Sequence, residues 1–366
     1  MSVIVAARRT AVAPAGGAFR AVSFHALAAP VLHACLADAG LDPALLGEVI
    51  VGNALGAGGN PARLCVLAAG LPERIAGLSI DRQCVSGLDA ILLAHALIRA
   101  GVTEAVLAGG AESTSRRPVR LHTHADGRPP VPYDQAPFTP WPDRDPAMAD
   151  AADRLGTELG IGRDAQDRWA VTSHAKARAA RAQLRNEIVP LCDLHEDAFT
   201  RNLTLRTCAR SLPIIGTVTA ANTAVGADAA AFVLVVSDRL AQRLSGPQAR
   251  IVGGCTLGGA PDLPGLAPVA AIRKTLQHAN ISARDIALAE VMEAYAVQAI
   301  ACVDGAGLDP ARVNTGGGAL ARGHPIGASG AINAVRLFHD LQTDRGYGLA
   351  AIAAAGGLGT ALLLQV

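Results

Sequence analysis

The chain has 366 residues, a formal net charge of +1, 51% hydrophobic residues and only 3% aromatic residues. Its length predicts one large α/β unit or roughly two to three domains, with enough apolar side chains for a sizeable core. The near-zero charge gives no electrostatic reason to expect a nucleic acid as partner.

Cysteine usage and hydropathy narrow the class of protein further. The seven cysteines include no Cys-x-x-Cys pair, and the chain starts without signal-peptide features. These observations predict a reduced, cytoplasmic protein without structural disulfides or a metal site. No apolar run is long enough to span a bilayer, so no membrane association is expected.

Apolar segments and helical periodicity alternate through the first third of the chain. Strands are expected at 3–7, 48–54, 76–80 and 105–110, and helices at 23–40, at 60–70 and from about Cys84 to Gly101. This alternation predicts a parallel sheet with crossover helices on both faces.

The composition changes after Glu112. Eight prolines lie between 116 and 146 without a hydrophobic period, which indicates an irregular segment. Helical patterns return at 148–159 and 165–184. We interpret 116–210 as an inserted loop or lid subdomain.

The remainder of the chain repeats the opening pattern. Residues 216–222 are expected to lead into a small-residue helix, and 230–236 to complete the first sheet. Further strands are expected at 249–254 and 286–293, with two more within 347–366. Two halves of roughly 120 residues therefore predict an internal duplication, with 1–115 and 211–246 as the N-terminal half and 247–366 as the C-terminal half. A functional site would lie where the halves meet.

Cys84 is the first candidate for chemistry because a small-residue corner places it at the start of the predicted helix. Unpaired N–H groups and the helix dipole at this point favour a thiolate, which is the reactive form of cysteine. Cys84 is therefore predicted to be a covalent nucleophile. The alternative is a cysteine that only packs at a strand–helix junction.

His324 lies in a glycine-rich corner that corresponds, in the duplicated half, to the Cys84 corner. An imidazole facing Cys84 across the pseudo-twofold axis could take the thiol proton. The alternative is a histidine whose ring is satisfied by the backbone of its glycine loop. Because neither Gly-x-Gly-x-x-Gly after a strand nor Gly-Lys-Ser/Thr is present, a nucleotide-binding interpretation is weak.

Six blocks of sequence resemble the thiolase family, in the family's order and over nearly the whole chain. They are Gln83-Cys84-Val85-Ser86-Gly87, Gly109-Gly110-Ala111-Glu112-Ser113, Gly216-Thr217-Val218-Thr219-Ala220, Glu293-Ala294-Tyr295, Gly323-His324-Pro325-Ile326-Gly327 and Gly356-Gly357-Leu358-Gly359. The resemblance implies a five-layered α-β-α-β-α fold with mixed, mainly parallel sheets and an inserted loop subdomain. It also implies a homodimer or dimer of dimers, acyl-coenzyme A or another pantetheine thioester as substrate, and no permanently bound cofactor.

The resemblance assigns roles to several residues of this chain. Cys84 corresponds to the acyl-accepting nucleophile and His324 to the base that activates it. The backbone N–H groups of Cys84 and Ala355 correspond to the oxyanion hole, whose donors are typically worth roughly 3–4 kcal/mol of barrier. Met148 and Gly323 are assigned to substrate binding.

Three positions depart from the family pattern. Ala353 stands where the family has a second, acid/base cysteine, and Met292 stands where it has an asparagine that helps to hold a water. Ala224 stands where a serine contacts the pantetheine arm, and it is kept as a substrate-binding position. Glu293, Tyr295 or a water held by either could replace the acid/base group. The alternative for Glu293, which we favour, is a structural partner of the glycine loop.

These features predict a thiolase-like acyltransferase that passes an acyl group from a coenzyme A thioester, or a 3-ketoacyl-coenzyme A, through Cys84 to a thiol or carbon nucleophile. One alternative is a non-classical condensing or C–C-hydrolysing enzyme of a specialised pathway. A non-enzymatic alternative is a catalytically impaired partner that scaffolds an active thiolase.

Overall fold

The structure is a computed structural model that describes residues 2–56 and 58–366. The strands are β1 (Ser2–Thr10), β2 (Ala13–Pro14), β3 (Glu48–Gly52), β4 (Ala76–Ile80), β5 (Ala105–Ser113), β6 (Arg120–His122), β7 (Val131–Tyr133), β8 (Ile188–Val189), β9 (Pro213–Ile215), β10 (Val218–Thr219), β11 (Ala227–Ser237), β12 (Ala249–Gly258), β13 (Ile286–Val291), β14 (Tyr347–Ala354) and β15 (Leu358–Gln365). The α-helices are α1 (Phe24–Ala39), α2 (Pro61–Ala68), α3 (Ser86–Arg99), α4 (Met148–Leu159), α5 (Arg163–Ala179), α6 (Arg181–Leu184), α7 (Leu205–Ala209), α8 (Asp238–Ala241), α9 (Ala267–Ala279), α10 (Ala296–Ala306), α11 (Ala319–Arg322) and α12 (Ile326–Leu341).

Local sequence signals explain where several helices begin and end. Asn60 caps α2 by accepting from the Arg63 N–H, and Pro61 occupies the first helical position. Gly40 and Gly160 end α1 and α4 in the left-handed conformation, which glycine adopts without a steric penalty. The helices expected in the first third of the chain are therefore confirmed.

The main sheet places the two halves of the chain side by side. Its strand order is β13-β14-β15-β12-β1-β11-β5-β3-β4, and the antiparallel pair β1–β12 joins the halves. In the first half, β3 and β5 are parallel, whereas β5–β11 and β11–β1 are antiparallel. The second half repeats this pattern with β13–β14 parallel and β14–β15 and β15–β12 antiparallel.

The sheet is mixed, as expected, but among its described strands antiparallel pairings outnumber parallel ones. The expectation of mainly parallel sheets was therefore wrong. The antiparallel pairings follow from how the strands are connected. Strand β15 follows β14 through a tight turn, which forces an antiparallel pair. Strand β11 enters the sheet from the insertion, at the opposite end, and therefore runs antiparallel to β5.

Helices and half-sheets stack in five layers. Helices α1 and α2 pack on the outer face of the first half-sheet, and α9 and α10 lie over the outer face of the second. Helices α3 and α12 lie between the two half-sheets in the largest hydrophobic core. Because α3 follows Cys84 and α12 follows His324, this central layer determines the geometry of both residues.

The segment 116–210 contains the β6–β7 hairpin, the helices α4 to α7 and long irregular stretches. The expected helix after 216–222 does not form: the chain makes β10, turns, and enters β11 directly. The turn is held by Asn222, whose side-chain oxygen accepts from the Thr219 N–H and whose amide donates to Asp167. In the part of the chain that the structure describes, no helix combines the length and apolar character needed to cross a membrane.

Candidate active site

Cys84 lies in the short corner between β4 and α3. The preceding residue, Gln83, adopts a positive φ of 53°, which is uncommon outside glycine. Ser86 closes the corner because its hydroxyl accepts from the Arg82 N–H (2.8 Å) and donates to the Gln83 carbonyl (2.6 Å). The corner therefore presents Cys84 just before the first turn of α3.

His324 lies between α11 and α12, and its Nε2 atom is 3.2 Å from Sγ of Cys84. The backbone N–H of His324 donates to the Val225 carbonyl (2.7 Å), which holds the loop against the strand-like segment before β11. The structure thus brings together the two residues that were predicted to face each other.

Ser329 determines which nitrogen of His324 carries the proton. Its hydroxyl donates to the Pro325 carbonyl (3.1 Å) and lies 2.7 Å from Nδ1 of His324. With the single hydroxyl proton used on Pro325, the Ser329 oxygen is left to accept, and this arrangement assigns the ring proton to Nδ1 of His324. Nε2 is then an acceptor facing the Cys84 thiol. Sequence reasoning missed this role of Ser329, although its position five residues after His324 in a helical segment was a usable signal.

The charge state of the pair differs from the expected one. Burial, with smaller contributions from the nearby carboxylates of Glu112 and Asp81, raises the pKa of Cys84 to about 12. Burial also lowers the pKa of His324 to about 4. The expectation that the helix N-terminus would favour a thiolate was wrong because desolvation outweighs the helix dipole. The resting pair is a neutral thiol beside a neutral imidazole that can accept its proton.

Two backbone N–H groups act on the sulfur of Cys84. Those of Cys84 itself and of Ala355 both lower the pKa of the thiol, in opposition to burial. Ala355 lies in the turn between β14 and β15, next to the cavity. Both groups predicted for the oxyanion hole are therefore directed at the reactive atom.

The carbonyl of Gly327, in the first turn of α12, packs against backbone of the first half. A Cβ added at Gly52, Gly87 or Gly110 would lie 2.7, 2.7 and 2.0 Å from this carbonyl oxygen. Each distance is shorter than a real Cβ contact, so only glycine permits this approach. The helix that follows His324 can therefore pack closely against the helix that follows Cys84.

Glu112 links the same two regions through its buried carboxylate. One oxygen accepts from the Asn53 side-chain amide (2.8 Å) and the Leu55 N–H (3.2 Å), and the other from the N–H groups of Ala54 and Gly327 (both 2.9 Å). Burial raises the pKa of Glu112 to about 7, against which the backbone donors act. Glu112 was part of a recognised block, but its bridging role depends on residues far apart in sequence.

A cavity of about 200 Å³ opens at Cys84 and His324. Its wall is mostly apolar and comes from the insertion, the 223–224 turn, the start of α10 and the β14–β15 turn. The lining residues are Gln83, Cys84, Phe138, Met148, Ala151, Ala152, Leu155, Thr223, Ala224, Pro264, Gly265, Ala294, Tyr295, Gln298, His324, Ile326, Ala353, Ala354 and Ala355. A mostly apolar wall with a few polar groups is typical of a site for a small organic ligand.

Some predicted site residues lie elsewhere. Met148, Ala224, Ala353 and Ala355 line the cavity, whereas Gly323 is buried outside its described lining. Met292 is only 2% exposed and packs in the central core, with its backbone N–H on the Ala351 carbonyl.

The structure does not bring Glu293 to the cavity either. Its carboxylate accepts from Trp169 Nε1 (3.0 Å), Asn314 Nδ2 (2.8 Å), the Ser173 hydroxyl (2.7 Å) and the Leu320 N–H (3.2 Å). These four donors occupy both oxygens and anchor the glycine loop. This geometry fits the interpretation of Glu293 as a structural partner of the glycine loop, because the four donors hold its carboxylate outside the cavity at Cys84.

No group of three or more His, Cys, Asp or Glu side chains within residues 2–56 and 58–366 is arranged to hold a metal ion.

Known proteins resemble this chain over nearly its whole length. The family models "Thiolase, N-terminal domain" and "Thiolase, C-terminal domain" match residues 2–239 and 245–366. A provisional acetyl-CoA C-acetyltransferase of Bacillus subtilis (strain 168), YhfS, is 39% identical over 100% of this chain and 99% of its own length. An acetyl-CoA acetyltransferase of Cupriavidus necator is 37% identical over 99% of this chain and 98% of its own. The crystal structure of the Bacillus anthracis acetyl-CoA acetyltransferase superimposes with a TM-score of 0.92 and 34% identity, covering 100% of this chain and 98% of that one. The chain therefore belongs to the thiolase family of acyltransferases.

Proposed function

We propose that this protein transfers an acyl group from a coenzyme A thioester, or from a 3-ketoacyl-coenzyme A, through Cys84 to a coenzyme A thiol or a carbon nucleophile. The observation that carries the proposal is the 3.2 Å contact between His324 Nε2 and Cys84 Sγ at the cavity. A neutral base within hydrogen-bond reach of a half-buried, protonated thiol is an arrangement that can generate the nucleophile when a substrate is present.

The first step follows from this arrangement. His324 takes the proton of Cys84 while the sulfur attacks the substrate carbonyl, and Ser329 supports the resulting imidazolium through Nδ1–H. The N–H groups of Cys84 and Ala355 stabilise the oxygen that becomes negative. With a coenzyme A thioester, collapse of this intermediate breaks the bond between the carbonyl carbon and the coenzyme A sulfur. The departing thiolate takes the proton from His324, and an acyl thioester remains on Cys84.

The apolar cavity favours a pantetheine thioester with a short acyl group. The relatives named acetyl-CoA acetyltransferase support acetyl-coenzyme A as the acyl donor. Ala224 and Met148 line the route by which the pantetheine arm would enter. Ala224 has no hydroxyl to offer this arm, so the binding depends on shape and backbone groups more than on that side chain.

The acyl-enzyme is tested by intact-mass measurement after mixing the protein with acetyl-coenzyme A. The wild type is expected to gain the mass of one acetyl group, and Cys84→Ala is expected to gain none. Cys192→Ser, which changes an exposed cysteine, is the matched control and retains the adduct. An unmodified wild type, or an equal adduct on Cys84→Ala, contradicts the proposal.

The acceptor is identified by assaying acetoacetyl-coenzyme A cleavage with and without free coenzyme A. Dependence on the thiol supports thiolysis, and independence supports the hydrolytic alternative. Co-purification with a second thiolase chain, together with an unreactive Cys84, would instead support the scaffold alternative.

We also propose that the chain has three structural units: an N-terminal half (1–115 and 211–246), an inserted subdomain (116–210) and a C-terminal half (247–366). We propose further that it assembles as a dimer through β4. Strand β4 is the edge of the sheet, and it leaves Leu78 exposed beside Leu64 and Leu67 of α2. An exposed apolar edge strand is suited to pairing with another chain. Light scattering on Leu78→Asp, compared with wild type, tests the interface, and an unchanged dimer mass contradicts it.

Seven free cysteines support a cytoplasmic location.

A further inference from the structure

Making or breaking a carbon–carbon bond beside a thioester carbonyl requires a group that exchanges a proton with the α-carbon. Among the described residues that line the cavity, three have titratable side chains: Cys84, His324 and Tyr295. Cys84 receives the acyl group, and His324 takes the proton of Cys84. Tyr295 is therefore the remaining side chain that can exchange a proton.

The backbone holds Tyr295 firmly beside the cavity. Residues 222–224 and 294–296 pair on either side of it, since the Ala224 N–H donates to the Ala294 carbonyl and the Ala296 N–H to the Asn222 carbonyl (both 2.9 Å). Tyr295 itself forms a bridge with Thr223. The backbone of Tyr295 is thus fixed just before α10 and opposite the turn that carries Ala224.

The hydroxyl of Tyr295 is available to a ligand. It makes no hydrogen bond with any residue in 2–56 or 58–366, although the side chain is partly buried against the core around α4. Burial, with smaller contributions from Cys84 and Asp150, raises the pKa of Tyr295 to about 12. The hydroxyl therefore remains protonated at neutral pH, and Tyr295 lines the same cavity as Cys84.

We propose that the Tyr295 hydroxyl exchanges the proton with the α-carbon of the acyl thioester. This inference rests on the proposed acyl transfer through Cys84 and assigns the acid/base group that Ala353 cannot supply. The other polar side chains of the lining, including Gln83, Thr223 and Gln298, do not titrate. They can orient a ligand but cannot donate the proton themselves.

The step balances in the direction of cleavage. The Cys84 thiolate attacks the 3-keto carbon, the bond between C2 and C3 breaks, and its electron pair moves to C2 to form an enolate. The Tyr295 O–H bond breaks, its proton forms the new C2–H bond, and a phenolate remains. The phenolate then takes the thiol proton of incoming coenzyme A. The new thiolate attacks the acyl group on Cys84, and the released Cys84 recovers its proton from His324.

Tyr295→Phe tests the inference because it removes only the hydroxyl. Two reactions are measured: acetylation of Cys84 by acetyl-coenzyme A, and coenzyme A-dependent cleavage of acetoacetyl-coenzyme A. Acetylation is expected to stay within about twofold of wild type, whereas cleavage falls by about a hundred- to ten-thousand-fold, the usual contribution of a general acid. Exchange of the acetyl-coenzyme A methyl protons with deuterated water is expected to fall with cleavage. Tyr347→Phe, outside the cavity, is the matched control and changes none of these.

A second variant provides an independent readout. Ala353 lines the same cavity, so Tyr295→Phe combined with Ala353→Cys is expected to recover part of the cleavage activity. Wild-type cleavage by Tyr295→Phe overturns the inference, as does a loss of acetylation in parallel with cleavage. Suppose that the wild type is acetylated on Cys84 but neither cleaves acetoacetyl-coenzyme A nor exchanges the methyl protons of acetyl-coenzyme A. This result overturns the inference about Tyr295 and leaves the proposed acyl transfer intact. A wild type that is never acetylated overturns the proposed function itself.

Discussion

Nε2 of His324 lies 3.2 Å from Sγ of Cys84, although 240 residues separate them in the chain. Both residues are half-buried at the cavity, and desolvation pushes their pKa values in opposite directions, to about 12 for the thiol and about 4 for the imidazole. The proton therefore stays on sulfur until a substrate carbonyl and the backbone donors stabilise the negative charge. In its resting protonation state the pair therefore differs from a thiolate–imidazolium ion pair, which is reactive before a substrate binds.

The reaction of Cys84 with iodoacetamide should rise continuously with pH. Because its pKa is raised, the thiolate fraction grows about tenfold per pH unit from about pH 7 to about pH 10 without reaching a plateau. Peptide mass spectrometry of the Cys84 peptide measures the rate, with Cys192→Ser to remove an exposed cysteine. A plateau below about pH 8 would show that a thiolate is already present.

Acetylation of Cys84 should persist in mild acid. His324 loses its capacity to act as a base only as pH falls through its lowered pKa of about 4. An ordinary histidine, with a pKa of about 6.5, would lose it earlier. Rapid-quench acetylation rates at a series of pH values give the acidic limb, and a midpoint near pH 6.5 would contradict the burial argument.

Ser329→Ala should slow acetylation by about fivefold, which corresponds to the roughly 1 kcal/mol of one neutral hydrogen bond. The variant leaves Nδ1 of His324 without its acceptor, so the ring loses its preferred tautomer. Ser329→Thr keeps the hydroxyl and serves as the control, expected to retain most of the rate. Equal rates for Ser329→Ala and wild type would remove Ser329 from the mechanism.

Gly110→Ala should destabilise the fold by more than about 2 kcal/mol, because the new Cβ would overlap the Gly327 carbonyl. Acetylation should fall with stability since α12 carries the His324 loop. Gly253→Ala, whose Cβ would meet nothing within 4 Å, is the control and should change stability by less than about 1 kcal/mol. Urea unfolding measures the stability of both variants. Similar losses of stability in Gly110→Ala and Gly253→Ala would contradict the close approach of the Gly327 carbonyl to Gly110.

Glu187→Gln should destabilise the protein by about 3–5 kcal/mol, the usual consequence of breaking a buried ion pair. Burial would raise the pKa of Glu187, but Arg336 and Arg9 outweigh it and lower the pKa to about 2. The wild type should therefore lose this contribution as pH falls from about 4.5 to about 2. Urea unfolding at several pH values tests the sign, and Glu158→Gln, an exposed pair with Arg154, should cost less than about 1 kcal/mol. If the difference in stability between wild type and Glu187→Gln does not shrink as the pH falls, the lowered pKa of Glu187 is contradicted.

Much of the architecture was predictable from local patterns. Apolar runs, helix stop signals and glycine corners predicted the alternation of strands and helices and the repeated second half, because these signals act over a few residues. The direction of β11 and β15 was not predictable in this way, since it depends on which end of the sheet the chain enters.

The sequence by itself determined which side chains are the candidates for the proposed chemistry. Cys84 and His324 stand in glycine-rich corners whose residue types allow close backbone approach, and the absence of an acid/base side chain at Ala353 is evident from the chain alone. Only the tertiary structure decided the charge state of this pair, because burial depends on residues from both halves. It also decided that Glu293 is held by four donors away from the cavity, whereas Tyr295 lines it: adjacency in sequence does not determine which side of a loop a side chain faces.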